Sequence, residues 1–167
     1  MHTTFPDVDA DEAEVILDLY DRYEDRADTS RVDLSTLEGT IAAVQGMEFY
    51  DRAVDAIEYL WDMGARPIGI GTTRVTFRVD KHTVAKVPIE GRGVFCCIRE
   101  SDLSESSGKT GYIPIADCHI DDDMLILWME SVTPHVGDYE TLPDWTWSID
   151  GFQVGYDRDG VLVAYDL

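Results

Sequence analysis

Apolar and polar residues alternate from Arg74 to Val79, with Val75, Phe77 and Val79 on one face and Arg74, Thr76 and Arg78 on the other. This period of two predicts a half-buried β-strand. Asp80-Lys81-His82 has room to turn the chain, and Thr83–Val87 then pairs back as an antiparallel hairpin. A short strand over Arg66–Ile70 precedes it. Gly69 and Gly71 lie two apart on the way into the hairpin, and a missing Cβ lets backbone approach a ligand.

Before residue 65 the period is helical. From Asp9 onward Val15, Ile16, Leu19, Tyr20 and Tyr23 form one apolar stripe opposite acidic residues, which predicts a helix fading by Ala27 after a loose arm over residues 1–8. Ser35-Thr36-Leu37-Glu38 has capping-box spacing and opens a short helix with Leu34, Leu37, Ile41 and Val44 inward. Gly46 is placed to stop it. A third helix, Met47–Met63, turns Ala53, Val54, Ile57 and Leu60 inward and ends at Gly64. Residues 1–64 are thus expected to be a helical segment with too little apolar surface to stand alone. They have to cover the sheet formed by residues 65–167, so the two parts make one unit.

Beyond the first hairpin, Gly91-Arg92-Gly93 reads as a turn, Val94–Asp102 as a short helix and Ser101–Gly111 as a polar loop. Tyr112–His119 and Met124–Ser131 predict a hairpin across Asp121-Asp122-Asp123. Residues 132–150 have no clear period; the last hairpin joins Phe152–Tyr156 to Val161–Tyr165 through Asp157-Arg158-Asp159-Gly160. The expected fold is α+β: an antiparallel sheet with N-terminal helices and a C-terminal β-hairpin.

Charge changes the picture more than composition does. Thirty-four acidic against 13 basic residues give a net −21, and only Lys81, Lys86 and Lys109 are lysines. Hydrophobic content of 44% and 8 Tyr, 5 Phe and 4 Trp argue for a folded core rather than disorder. An acidic, lysine-poor chain of this kind suits molar salt, where a Debye length of about 3 Å screens self-repulsion. The same charge disfavours nucleic acid and anionic lipid as partners. The start, Met1-His2-Thr3-Thr4-Phe5-Pro6, lacks a secretory signal pattern, and the longest apolar run, Met124–Met129, is too short to span a bilayer. A soluble protein outside the Sec route is expected, in the cytoplasm or in a virus particle. Cys96, Cys97 and Cys118 have no C-x-x-C spacing, which predicts reduced thiols and no zinc site.

Gly69-x-Gly71 followed by Val84-Ala85-Lys86 resembles the nucleotide-covering hairpin of protein kinases, with its G-x-G loop and its lysine strand. The resemblance runs over about 100 residues, from Gly64 to Leu167. It implies that Glu100, or Glu105 as a second candidate, pairs with Lys86. It also places Gln153 at the metal-binding asparagine and Asp166 at the metal-binding aspartate. Arg74 replaces the third glycine, and Ser148 stands where the family has its base aspartate. No activation loop or large lobe follows. This truncated pattern looks like an uncharacterised group common in tailed viruses of prokaryotes.

These departures imply no catalytic residues. The expectation is a non-catalytic protein-binding or structural module, a pseudokinase-like virion component adapted to salt, acting with a protein partner or as a homo-oligomer and needing no cofactor or metal. Trp145 and Trp147 are either core anchors or a binding patch. The alternative is a nucleotide-binding phosphotransferase relative that uses Gly69, Gly71, Lys86, Glu100, Gln153 and Asp166 with ATP and magnesium. Asp121-Asp122-Asp123 beside His119 is read as a charged turn in preference to a cation site.

Overall fold

The alternating stretch forms strand β2 (Arg74–Arg78), paired antiparallel with β1 (Arg66–Ile70) and β3 (Thr83–Pro88). A computed structural model describes residues 32–149, 151 and 153–167. Strands β4 (Cys118–Asp121) and β5 (Ile126–Glu130) complete a five-stranded antiparallel sheet in the order β1-β2-β3-β5-β4. A second sheet of three strands is built from β6 (Thr133–Pro134), β7 (Val154–Tyr156) and β8 (Leu162–Ala164). With helices α1 (Leu37–Ala43), α2 (Tyr50–Asp62) and α3 (Gly91–Ser106), the architecture is α+β, and Asp33–Leu167 forms one compact unit. The helix expected from Asp9 to Ala27 lies outside the described residues.

The two faces of the large sheet are covered by different material. Val75, Phe77, Ala85 and Val87 meet Val44, Ala53, Ile57 and Leu60 from the first two helices. Fully burying side chains such as Ile57 and Leu60 stabilises the fold by about 1.5–3 kcal/mol each. On the other face, Leu127 and Met129 of β5 pack with Cys97 of α3 and Val163 of β8, and Val84 of β3 joins them. Strand β2 is fully covered on the helix-facing side, and its other side grades from buried Arg74 to exposed Arg78. Arg74, expected on a polar face, is only 8% exposed, whereas Arg78 at the far end of the strand is open to solvent.

Several boundaries differ from the expected ones. Helix α2 begins at Tyr50, not Met47. Thr36, not Ser35, caps α1, its hydroxyl accepting from Gly39 N at 3.0 Å, while Ser35 bonds back to Asp33. The largest difference is α3, which runs from Gly91 through Ser106 and so extends the helix expected over Val94–Asp102 into stretches that read as turn and loop. Its serines explain this. Ser104 Oγ accepts from Cys118 N at 2.9 Å and Ser101 Oγ from Ile120 N at 3.2 Å. A helix turn apart, the two hydroxyls satisfy alternate outward amides of β4, an edge strand that would otherwise present unpaired donors. Strand β4 accordingly starts only at Cys118, and Tyr112–Asp117 is not a regular strand. No helix among the described residues is long and apolar enough to cross a membrane.

Candidate functional site

Alternation along β3 sends Lys86 away from the α1–α2 face, and α3 brings Glu100 to meet it. Lys86 Nζ lies 3.0 Å from Glu100 Oε2, and Glu100 has no exposed surface. Arg74 Nη1 reaches the other oxygen, Glu100 Oε1, at 2.8 Å. The same Oε1 accepts from Leu167 N at 3.0 Å. Asp166 Oδ1 lies 3.3 Å from Lys86 Nζ and also pairs with the Arg74 guanidinium. Lys86 further donates to the Tyr165 carbonyl. The ammonium thus has three acceptors for its three protons, and two cations face two carboxylates.

Burial acts strongly here. It pushes the Lys86 ammonium below its ordinary pKa despite the pull of Glu100. Burial opposes the Arg74 charge as well, but Glu100 outweighs it and the guanidinium pKa rises. Burial also raises the neighbouring Cys97 thiol, which leaves it protonated and inert. Arg74 is the participant that sequence reasoning missed. Its signal was its place on the same face of the hairpin as Lys86, since Thr76 is opposite Lys86 and Arg74 is two residues away.

Beside this cluster opens a cleft of ≈ 340 Å³, lined by Gly71, Thr72, Arg92, Cys96, Gln153 and Asp166 among others. Gln153 and Asp166 therefore line one cleft, and Lys86 and Glu100 form an ion pair beside it. Neither loop glycine is demanded by packing: a Cβ on Gly69 would meet nothing within 4 Å, and one on Gly71 only Arg74 O at 3.7 Å. The Gly71 amide already donates to Arg74 O at 2.8 Å. Beside the site the fold does require Gly93, because a Cβ there would stand 2.2 Å from Thr73 O, where α3 touches the β1–β2 loop.

The remaining candidates are scattered. Trp145 packs with Ile149 and Val154, whereas Trp147 is 58% exposed, so the two tryptophans do not form one patch. Ser148 donates its hydroxyl to the Trp145 carbonyl at 2.6 Å. Asp121 Oδ1 accepts from Asp123 N and Met124 N at 3.0 and 3.1 Å, closing its own turn. Among the described residues no group of three or more His, Cys, Asp or Glu side chains is placed to hold a metal ion.

A second ionic cluster escaped the sequence altogether. Lys109 Nζ lies 2.7 Å from Asp157, 2.9 Å from Glu130 and 3.3 Å from Asp117. Asp157 Oδ1 also accepts from Asp159 N and Val161 N, each at 2.8 Å. Burial works against the Asp157 charge, but Lys109 and these amides hold its carboxyl below the usual range. The three carboxylates come from distant segments, so nothing local in the sequence announced the contact. Neither a protein-family model, nor a curated protein, nor a solved structure matches the chain.

Proposed function

We propose that the chain is a non-catalytic protein-binding or structural module on a kinase-like scaffold, with a virus particle in a salt-rich setting as its natural place. One observation carries this reading. Lys86, the group that would hold a nucleotide phosphate, has all three protons directed at Glu100, Asp166 and the Tyr165 carbonyl. A phosphate would have to displace one of these three acceptors from a buried ammonium. Magnesium finds a poor donor set as well, because Asp166 already answers both Arg74 and Lys86. Ser148 supplies no carboxylate at the position of the base.

The test is a thermal-shift titration with ATP and magnesium in about 2 M KCl, where acidic self-repulsion is screened. No shift is expected. Stabilisation that Lys86→Met abolishes overturns the reading, as does phosphate passed to any acceptor. The cleft favours a second reading, a nucleotide-binding phosphotransferase relative, since Gly71, Arg92, Gln153 and Asp166 face one opening. Cys96 lies in that opening, so slower alkylation of Cys96 in the presence of ATP supports the second reading independently of any loss of fold in Lys86→Met.

A further inference from the structure

Helix α3 has a second working side. The buried face carries Cys97 and Glu100, while the opposite face carries Phe95, 65% exposed, and Ile98, 45% exposed. These two line a groove of ≈ 660 Å³ together with Arg99, Asp102, Leu103 and Ser106. Tyr112, 86% exposed, extends the groove past the end of the helix. Positions 95, 98, 99, 102, 103 and 106 follow the i, i+3, i+4, i+7, i+8, i+11 spacing of a helix face made for another helix. In a chain of net charge −21, exposed Phe95, Ile98 and Tyr112 grouped around one Arg99–Asp102 pair call for a partner.

We infer that the partner is a second copy of this chain, docked α3 against α3 in antiparallel fashion. The stripe is complementary to itself about a two-fold axis passing between positions 100 and 101. Under that symmetry Phe95 falls on the small Ser106 of the other copy and Arg99 on Asp102, each contact occurring twice, while Ile98 and Leu103 flank the seam on opposite edges. An isologous interface requires this reciprocity: large against small, positive against negative. The helix has 16 residues, about 24 Å at 1.5 Å rise, long enough to hold the whole register. Because both copies are strongly acidic, dimerisation strengthens as salt screens their long-range repulsion. The inference names the partner that the binding-module reading leaves open, and it needs nothing from the Lys86 cluster.

The experiment measures molar mass by light scattering across a concentration series in about 2 M KCl, with the same series in dilute salt. Twice 18.8 kDa is expected, with a larger dimer fraction at high salt. Phe95→Glu, at an exposed position, is expected to weaken association about 30-fold or more. Arg99→Asp and Asp102→Arg each weaken it about 10-fold, whereas mixing these two single variants restores a heterodimer through opposite charges. Far-ultraviolet circular dichroism checks that each variant is folded. A wild-type chain that stays at 18.8 kDa up to about 1 mM overturns the inference, as does a dimer indifferent to all three substitutions. A monomer leaves the reading of a silenced phosphate site intact. ATP-dependent stabilisation of a dimer sinks that reading and spares this one.

Discussion

The two ionic clusters solve opposite problems. Around Lys86 two cations meet two carboxylates, with Lys86, Arg74 and Glu100 all buried. Around Lys109 a single cation, 20% exposed in its side chain, faces three carboxylates. The first is balanced and sheltered from ions in solution. The second carries surplus negative charge and reaches solvent through Asp117, 62% exposed in its side chain, where added salt can do what further lysines would do elsewhere, while Asp157 stays buried. The balanced cluster thus depends least on screening, and the unbalanced one is reached by it through its exposed carboxylate.

The strongest way to break the contrast is Glu100→Gln, which strips Lys86 and Arg74 of their shared buried carboxylate. A loss of about 3–5 kcal/mol is expected, nearly equal in dilute buffer and in molar KCl, read by urea denaturation in both. Asp157→Asn should cost less, about 1–2 kcal/mol, since two backbone amides and Lys109 lose a charged acceptor. Its pH signature has a definite sign. Asp157 is held below its ordinary range, so the unfolded chain binds more protons as the medium is acidified. The stabilisation is complete above the usual aspartate pKa and disappears as pH falls through the lowered one. The wild type should therefore lose stability with acid more steeply than the asparagine variant.

Lys109→Met sharpens the comparison through salt. Removing the cation leaves Asp117, Glu130 and Asp157 to repel one another, and the penalty should shrink by about 0.5–1 kcal/mol in molar KCl. A penalty that does not change with salt would erase the proposed distinction between the clusters. The smallest effect concerns thiols and leaves stability untouched. Burial raises Cys97 and pushes Cys118 up to about 12, while Cys96 opens into the cleft. Maleimide labelling should find one fast thiol and two slow ones.

Much of this architecture was legible because its residues alternate cleanly. Val75 and Phe77 opposite Arg74 and Thr76 identify β2, and the shared face of Lys86 and Arg74 follows from the register of one hairpin. What escaped depends on contacts between segments far apart in the chain. Ser101 and Ser104 look like loop residues until β4 supplies amides for their hydroxyls. Arg74 looks like a lost glycine until Glu100, 26 residues on, gives its guanidinium a partner. Lys109 gave no local clue at all, because Asp157 arrives with the terminal hairpin.

Helix α3 is held at three points: Gly93 against the Thr73 carbonyl, Glu100 on Lys86 and Arg74, and the serine pair on β4. Swinging the helix outward would release all of them together. In mechanical terms it is a latched strut, not a lever. Any signal delivered to its outer surface would be borne as load by the whole sheet.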